Sequence, residues 1–265
     1  LVLEGGANRG IFTAGVLDVL MERKFQADYV VGVSAGACNA VDYISEQPLR
    51  SRDCIIAWNQ EKMRDQMAAF RKEHCVMDMR LLFDVFPNEK YPFDYDTFFD
   101  SPIRCELSDT SDRQRLMKIC RASSSIPILS TMVDVDGTPY FDGGLADSIP
   151  VLHARKLGYR KLVVVLTQKK GYRKTISKKT IALIRARYRR YPELVKTCCL
   201  RPYRYNKCLD SIEKWEAAGK LFVIRPRMQP VSRLEKNVDK LQDFYEHGRD
   251  VMREQYDGLL EYLAR

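Results

Sequence analysis

The chain has 265 residues, of which 45% are hydrophobic, and a formal net charge of +9 at pH 7. This length and apolar content exclude a wholly disordered chain, and no apolar run approaches the roughly 20 residues of a membrane-spanning helix. The positive charge is compatible with lipid head groups, nucleic acid or anionic substrates as partners, and equally with a solvated basic face. The chain opens in mid-strand at Leu1 without a methionine, so we expect its natural N-terminus to lie upstream.

A glycine-rich loop follows the first predicted strand, which ends at Leu3, and precedes an amphipathic helix predicted over 11–24. The free N–H groups of such a loop converge on an anion. A dinucleotide fingerprint would need G-x-G-x-x-G and an acidic residue after the next strand, whereas here the next strand leads to Ser34. We therefore expect the loop to form an oxyanion hole. Its residues are Gly5, Gly6, Ala7, Asn8, Arg9 and Gly10.

The second predicted strand, over 29–33, leads into a Gly-x-Ser-x-Gly motif centred on Ser34 and then into a helix that ends at about residue 45. The order of strand, tight turn and helix is the context of a nucleophile elbow, which presents its serine outside the sheet. Gly32 and Gly36 stand where a Cβ would crowd the adjoining strand or helix. Ser34 is therefore predicted to be a nucleophile, and an ordinary turn serine is the alternative.

Two stretches after the elbow are predicted to contribute mainly to the core. Apolar side chains recur at helical spacing over 49–72, which predicts a helix, with a lipid-facing lid as the alternative. Residues 73–103 are irregular, rich in aromatic side chains and interrupted by prolines. We expect the aromatic cluster to form a small core under this connection rather than to line an acyl pocket. The cluster comprises Phe93, Tyr95, Phe98 and Phe99.

An Asp-Gly turn between two short strands predicts a β-hairpin over 133–141, which is followed at once by Asp142, Gly143 and Gly144. The two glycines allow the Asp142 carboxylate to approach another loop closely. A carboxylate can accept the proton of a serine if burial raises its pKa. Asp142 is therefore a candidate base for Ser34, and the alternative is a turn aspartate that binds its own backbone.

Histidine and cysteine offer weaker candidates for the chemistry. No histidine stands in an obvious loop at a strand end, where a Ser-His-Asp triad would need it, so we expect all three to be surface or structural residues. The eight cysteines include no C-x-x-C pair, and the adjacent Cys198 and Cys199 have poor geometry for a mutual bridge. We expect reduced thiols in a cytoplasmic protein, and no metal. The histidines are His74, His153 and His247.

The second half of the chain is basic and ends in a predicted helix. Residues 161–167 have the composition of a fully buried strand in a parallel sheet, and 220–225 predict a last short strand. The stretch 169–190 is strongly basic and contains no acidic residue. Ser232 is predicted to cap the terminal helix, and Glu235 would complete a capping box.

Four motifs occur together in the order and approximate spacing of the patatin-like phospholipases, and over about the first 170 residues the chain resembles a bacterial member of that family. The resemblance implies an α/β fold, a three-layer α/β/α sandwich around a mainly parallel sheet, with extra C-terminal helices. The motifs are Gly5–Gly10, Gly32–Gly36, Ser124–Pro127 and Asp142–Gly144. Segments similar to a bacterial subgroup are Leu166–Lys174, Tyr205–Asn206 and Val231–Glu235.

The same resemblance implies a Ser–Asp dyad that uses no histidine, metal or cofactor. Ser34 would attack an acyl ester of a lipid or phospholipid, Asp142 would take its proton and later activate water, and N–H groups of the glycine loop would hold the oxyanion. Because no linker or internal repeat is visible, we expect a single domain over 1–265. Its catalytic core would cover about 1–170, and a basic, helical extension about 171–265.

Two features depart from the family pattern. Members usually carry a third glycine where this chain has Ala7, and we expect the extra methyl group to shift the oxyanion loop or narrow the pocket. The family pattern also continues the strand beyond Leu107 and turns through a glycine into another strand. Here Ser108 follows directly, so we expect the natural protein to carry a further segment at this junction.

A binding function is the alternative to hydrolysis. In this alternative the hydrolase site is inactive and the basic stretch 169–190 presents its charges on one helix. The partner would be either the inner face of an anionic membrane or nucleic acid. No nucleic-acid motif accompanies the charges, so nucleic acid is the weaker partner. A degenerate family member kept as a partner protein is disfavoured by the intact Ser34 and Asp142. The charges include Lys178, Lys179, Arg185, Arg187, Arg189 and Arg190.

Overall fold

The computed structural model describes residues 1–60, 79–106 and 112–265. In chain order its strands are β1 (Val2–Leu3), β2 (Tyr29–Gly32), β3 (Arg104–Cys105), β4 (Val133–Val135), β5 (Thr138–Tyr140), β6 (Leu162–Val165) and β7 (Leu221–Ile224). A five-stranded parallel sheet has the order β3–β2–β1–β6–β7, and β4 pairs with β5 in the predicted antiparallel hairpin. Strand β1 is central, with Val2 opposite both Val31 and Val164.

The helices of the described residues are α1 (Gly10–Glu22), α2 (Ala35–Ile44), α3 (50–60), α4 (Tyr95–Asp100), α5 (Arg113–Ser123), α6 (Val151–Lys156), α7 (Lys178–Arg187), α8 (Pro192–Ala217) and α9 (Val238–Ala264). A π-helix covers Leu81–Lys90, and short 3-10 helices cover Ala7–Arg9 and Gly143–Leu145. None of these helices is long and apolar enough to cross a bilayer. The later part of the helix predicted over 49–72, His74 and the Leu107–Ser108 junction lie outside the described residues.

Strands β1, β2, β6 and β7 are largely buried on both faces, as a parallel sheet between two helical layers requires. Leu3 and Val163 point to one face, where they share a core with side chains of α1, α2 and α9. Val2 and Val164 point to the other face and pack with side chains of α6 and α8. This alternation follows the two-residue period of a strand. The predicted three-layer α/β/α sandwich with extra C-terminal helices is therefore confirmed.

Helix α1 is buried on every side, which corrects the prediction of an amphipathic helix. Its remaining surface is covered because α9, from the far end of the chain, packs along it. The two backbones touch at glycines: a Cβ on Gly15 would lie 2.2 Å from the Tyr245 carbonyl oxygen, and one on Gly248 would lie 2.2 Å from the Phe12 carbonyl oxygen. The local sequence pattern of α1 contains no information about this distant partner.

The terminal helix begins later than the sequence predicts. Its cap is Asn237, whose side-chain oxygen accepts a hydrogen bond from the Lys240 N–H at 3.0 Å. Ser232 accepts the Glu235 N–H through its backbone carbonyl, so the predicted capping box is wrong. Asparagine and serine are N-caps of similar strength, so the tertiary packing of the preceding segment decides which one starts the helix.

The aromatic cluster of the long connection is a core cluster, as predicted, but it belongs to the main core and does not form a small core of its own. Phe93, Tyr95 and Phe98 are buried and belong to the main core, together with side chains of α1 and α2. Phe99 packs against the same cluster while partly exposed. None of the four lines the apolar cavity beside Ser34. The cluster therefore supports the fold of the connection rather than an acyl pocket.

Candidate active site

Ser34 sits at a sharp turn between β2 and α2. Its backbone has φ 57° and ψ −125°, in the left-handed region that strains any residue with a Cβ. A Cβ on Gly32 would lie 2.1 Å from the Gly36 carbonyl oxygen, and one on Gly36 would lie 2.5 Å from the Leu3 carbonyl oxygen. Both glycines are thus required by close backbone approach. The Ser34 N–H donates to the Ser123 Oγ at 3.0 Å, which anchors the turn to the end of α5.

The structure brings Asp142 against Ser34, although 108 positions separate them in the chain. The Ser34 hydroxyl donates to the Asp142 Oδ2 at 2.8 Å. The other carboxylate oxygen accepts the Gly144 N–H at 2.7 Å, and the Asp142 N–H donates to the Ser125 carbonyl at 2.8 Å. Ser34 and Asp142 are only 6% and 5% exposed. The carboxylate is therefore held in one orientation, out of water, against the hydroxyl.

The environment of Asp142 makes its carboxylate more basic than that of an exposed aspartate. Burial raises the pKa of Asp142 above its usual value, while the charge of Arg201 and the hydrogen bonds from Ser34 and Gly144 lower it in part. A carboxylate with a raised pKa binds a proton more readily. The arrangement is therefore chemically suited to take the proton of the Ser34 hydroxyl.

The glycine loop presents two free amides beside the elbow. The N–H groups of Gly6 and Ala7 have no hydrogen-bond acceptor among the described residues, whereas the Gly5 N–H reaches the Ser148 carbonyl at 3.4 Å. A Cβ on Gly5 would lie 3.1 Å from the Ser34 Cβ, so the loop and the nucleophile candidate are neighbours. Free donors at this place are suited to hold an oxyanion. Of the six candidate loop residues, Gly6 and Ala7 are therefore the two whose backbone N–H groups are free within the described structure.

The other three loop residues have different surroundings. The Asn8 side chain donates to the Asn59 Oδ1 at 3.0 Å and to the Glu235 carbonyl at 2.8 Å, which ties the loop to α3 and to the segment before α9. The Arg9 side chain lines a polar cavity next to Ser34. Gly10 opens α1 and packs closely on the start of α2. Asn8 and Gly10 therefore support the loop, and Arg9 adds charge to the site.

Ala7 has φ 50°, again in the left-handed region. Glycine adopts this backbone conformation without strain, which explains physically why the family pattern has a third glycine here. The Ala7 side chain lines both the apolar cavity and the small polar cavity beside Ser34. The substitution therefore adds backbone strain and a methyl group at the junction of these two cavities.

No histidine of the described residues lines the cavities beside Ser34. His153 lies 3.2 Å from the Glu106 carboxylate, and His247 accepts the Arg227 N–H at 2.9 Å. The described residues also contain no group of three or more side chains that could hold a metal ion. The described cysteines carry free thiols; they are Cys38, Cys54, Cys105, Cys120, Cys198, Cys199 and Cys208.

Two cavities of opposite character adjoin the small polar cavity that contains Ser34 and Asp142. One is apolar, has a volume of about 120 Å³, and is lined by Ser34 together with side chains such as Cys38, Trp58 and Leu82. The other has a volume of about 640 Å³ and a basic lining. A small polar cavity that contains Ser34 and Asp142 shares lining residues with both. The site can therefore hold an apolar group on one side and a polar group on the other.

Sequence reasoning missed three basic residues of the site. Lys174, Arg201 and Arg233 line the same small cavity as Ser34 and Asp142. They come from the loop after β6, from α8 and from the segment before α9, so no local motif joins them. The only signal in the sequence was that the segments ending at Lys174 and containing Arg233 resemble a bacterial subgroup of the family.

Comparison with known proteins identifies two regions of the chain. The family model described as patatin-like phospholipase matches residues 1–155, and a domain of unknown function, DUF6363, matches residues 191–264. The chain is 34% identical over 183 residues to a protein of Escherichia coli (strain K12) named Uncharacterized protein YjjU. The matched region covers 63% of this chain and 51% of that protein. The chain therefore spans about half the length of this curated relative.

Proposed function

Since the chain belongs to the patatin-like phospholipase family, we propose that it is a serine hydrolase of lipid acyl esters in which Ser34 is the nucleophile and Asp142 is the base. The observation that carries the proposal is the 2.8 Å hydrogen bond from the Ser34 hydroxyl to the buried Asp142 carboxylate. The two free amides of the glycine loop, at Gly6 and Ala7, support it because they lie beside this pair.

In the proposed acylation step, the Ser34 Oγ attacks the ester carbonyl carbon while its proton moves to Asp142. The carbonyl oxygen becomes an oxyanion, which accepts hydrogen bonds from the Gly6 and Ala7 N–H groups. Collapse of this intermediate breaks the bond to the alcohol, which leaves with the proton from Asp142. The acyl group then remains on Ser34 as an ester, with its chain in the apolar cavity.

In the proposed deacylation step, a water molecule gives its proton to Asp142 and attacks the acyl carbonyl. The same two amides hold the second oxyanion, and the Ser34 Oγ leaves with the proton from Asp142. The fatty acid is released and the pair is restored. Because burial raises the pKa of Asp142, the carboxylate receives the proton at each step more readily than an exposed aspartate would.

Covalent labelling with a fluorophosphonate probe tests the proposal, with the modified peptide located by mass spectrometry. We expect labelling at Ser34 in the native protein and none in Ser34→Ala, because the nucleophile is absent. In Asp142→Asn the hydroxyl stays but its base is lost, so both labelling and ester hydrolysis should fall by about a hundredfold or more.

Two matched substitutions control for general effects of mutation. Ser211→Ala removes a hydroxyl whose hydrogen bond is to the Lys207 carbonyl within α8, and Asp257→Asn removes an exposed carboxylate of α9. Both variants should keep the native labelling rate. Unmodified Ser34 in a folded native protein, or undiminished hydrolysis by Ser34→Ala, would contradict the proposed function.

We also propose peripheral contact with an anionic membrane through α7 and the residues that follow it. Lys178, Lys179 and Arg185 are exposed there, and Leu183 between them is 51% exposed. Exposed basic and apolar side chains together are typical of surfaces that bind the membrane interface. Thr180 of the same helix lines the larger basic cavity, so such contact would bring lipid close to the site.

A further inference from the structure

Four basic side chains surround the small cavity that contains Ser34 and Asp142. Arg9 is only 7% exposed, and the other three are partly buried. All four also line the neighbouring cavity of about 640 Å³. This larger cavity is called here the cationic cavity. The four bases that line it are Arg9 of the glycine loop, Lys174 after β6, Arg201 of α8 and Arg233 before α9.

The charges of the cationic cavity are incompletely neutralised by the protein. Within residues 1–60, 79–106 and 112–265, none of the four forms a salt bridge, and the buried Nε of Arg9 has no hydrogen-bond partner. The acids that interact with them are Glu4 and Asp142. Glu4 already accepts hydrogen bonds from the Thr167 N–H at 2.7 Å and from the Tyr205 hydroxyl at 2.6 Å. Two acids thus face four bases.

The bases of the cavity also destabilise one another's charged forms. Burial, followed by the charges of Arg201 and Arg233, lowers the pKa of Lys174 to about 7. Partly buried cations held close together with too few counter-charges are unfavourable, and a bound anion relieves both desolvation and repulsion. Guanidinium groups match the geometry of phosphate oxygens, with which they form paired hydrogen bonds.

We infer that the cationic cavity binds the phosphate of an anionic lipid headgroup. This inference rests on the proposed hydrolase function and names its substrate class. The apolar cavity and the cationic cavity each share lining residues with the small cavity that contains Ser34 and Asp142, and Ile126 lines all three. A lipid with its acyl chain in the first and its phosphate in the second has its ester bond at the Ser34 hydroxyl.

Calorimetric titration of the full chain with sn-glycerol 3-phosphate tests the binding step without any need for turnover. We expect binding of this phosphate and none of glycerol, its neutral counterpart. Arg233→Gln and Lys174→Gln should each weaken binding by about tenfold or more, because each removes a charge-assisted hydrogen bond donor. Arg233→Lys keeps the charge and should retain more affinity than Arg233→Gln.

Arg204→Gln is the matched control, because Arg204 is an exposed base in the same helix as Arg201. It should change the dissociation constant by less than about twofold. Absence of glycerol 3-phosphate binding, or equal weakening by Arg204→Gln and Arg233→Gln, overturns the inference. Either result leaves fluorophosphonate labelling of Ser34 unaffected, so failure here is distinct from failure of the proposed hydrolase.

The pH dependence of anion binding isolates the contribution of Lys174. Sulfate keeps its charge between pH 6 and pH 8, whereas Lys174 loses its proton near pH 7, so sulfate should bind several-fold more weakly at the higher pH. The groups facing Lys174 are Arg9, Arg201, Arg233 and Glu4, and its Nζ lies over the Tyr205 ring. In Lys174→Gln the decrease should be smaller; an identical decrease would overturn the role given to Lys174.

Substrate competition separates a lipid headgroup from free phosphate as the natural ligand. Lysophosphatidic acid should be hydrolysed with a higher kcat/KM than monoacylglycerol or lysophosphatidylcholine of the same acyl chain, and Arg233→Gln should lower this preference by about tenfold. Glycerol 3-phosphate should compete with the anionic substrate. Tight binding of inorganic phosphate without preference for the anionic lipid would overturn the headgroup assignment.

Discussion

Ser34 and Ala7 both adopt left-handed backbone conformations in which a Cβ is strained. At Ser34 the side chain is the reason for the strained turn, because the proposed chemistry needs a hydroxyl at that place. At Ala7 the side chain is a methyl group, and the proposed oxyanion role uses the backbone N–H instead. The strain at Ala7 is therefore separable from the chemistry, and a glycine would provide the same donor.

Ala7→Gly should raise the free energy of unfolding by about 0.5–1 kcal/mol. Relief of the left-handed strain is worth about 1–2 kcal/mol, and the greater freedom of glycine in the unfolded chain offsets part of that gain. Urea unfolding followed by circular dichroism measures the change. The control is Ala218→Gly, at an exposed position with φ −86°, where no strain is relieved. A gain at Ala218 as large as that at Ala7 would contradict the explanation.

The crossing of α1 and α9 leaves almost no room for added side-chain volume at its two glycines. Gly15 and Gly248 allow the two backbones to touch, and the same crossing covers the helix that carries the end of the glycine loop. Because α1 starts immediately after this loop, displacement of α9 would be transmitted to the amides beside Ser34. The terminal helix is therefore part of the support of the site.

Gly248→Ala should destabilise the protein by about 1–3 kcal/mol, because the new methyl group would lie 2.2 Å from the Phe12 carbonyl oxygen and the helices must separate. Gly258→Ala in the same helix should have the opposite sign and stabilise by about 0.5–1 kcal/mol. Its Cβ would lie 3.7 Å from the Phe222 ring, and alanine is the better helix former. Thermal and urea unfolding of both variants compare the effects; equal signs would refute the close-crossing argument.

Across the whole molecule, the C-terminal part of the chain completes the core instead of standing apart from it. After residue 170 it supplies β7 at one edge of the sheet, α8 on one face and α9 on the other. It also contributes Lys174, Arg201 and Arg233 to the cavity beside Ser34. The exposed helix α7 borders the larger basic cavity, because its Thr180 lines that cavity.

Membrane contact through α7 should appear as binding to vesicles that contain anionic lipid and as little binding to purely zwitterionic vesicles. A juxtamembrane base contributes about 1 kcal/mol, so replacing Lys178, Lys179 and Arg185 together by Gln should weaken binding by about a hundredfold. Co-sedimentation at low and high salt measures the effect. Exposed Lys24 and Lys240 provide the control pair for replacement by Gln. Equal binding to both vesicle types would exclude the electrostatic contact.

The sequence by itself determined the features that depend on neighbours in the chain. A β-branched run before Gly-x-Ser-x-Gly predicts the elbow at Ser34, because the geometry of strand, turn and helix is local. The Asp-Gly turn predicts the hairpin that ends before Asp142 for the same reason. The buried strand over 161–167 follows from its continuous apolar composition, and it appears as β6. These local rules predicted the parallel strands and named Ser34 and Asp142 as candidates, whereas the three-layer fold and the Ser–Asp dyad were implied by the resemblance to the family.

Only the tertiary structure decided the distances between the distant groups that meet at the site and what surrounds them. It brings the Ser34 hydroxyl within 2.8 Å of Asp142, leaves the amides of Gly6 and Ala7 free, and gathers bases from four segments around them. Helix α1 is buried on every side because α9 packs on it, and Asn237 rather than Ser232 caps that helix. Such contacts join residues separated by up to hundreds of positions, so burial and charge at the site depend on packing that no local pattern records.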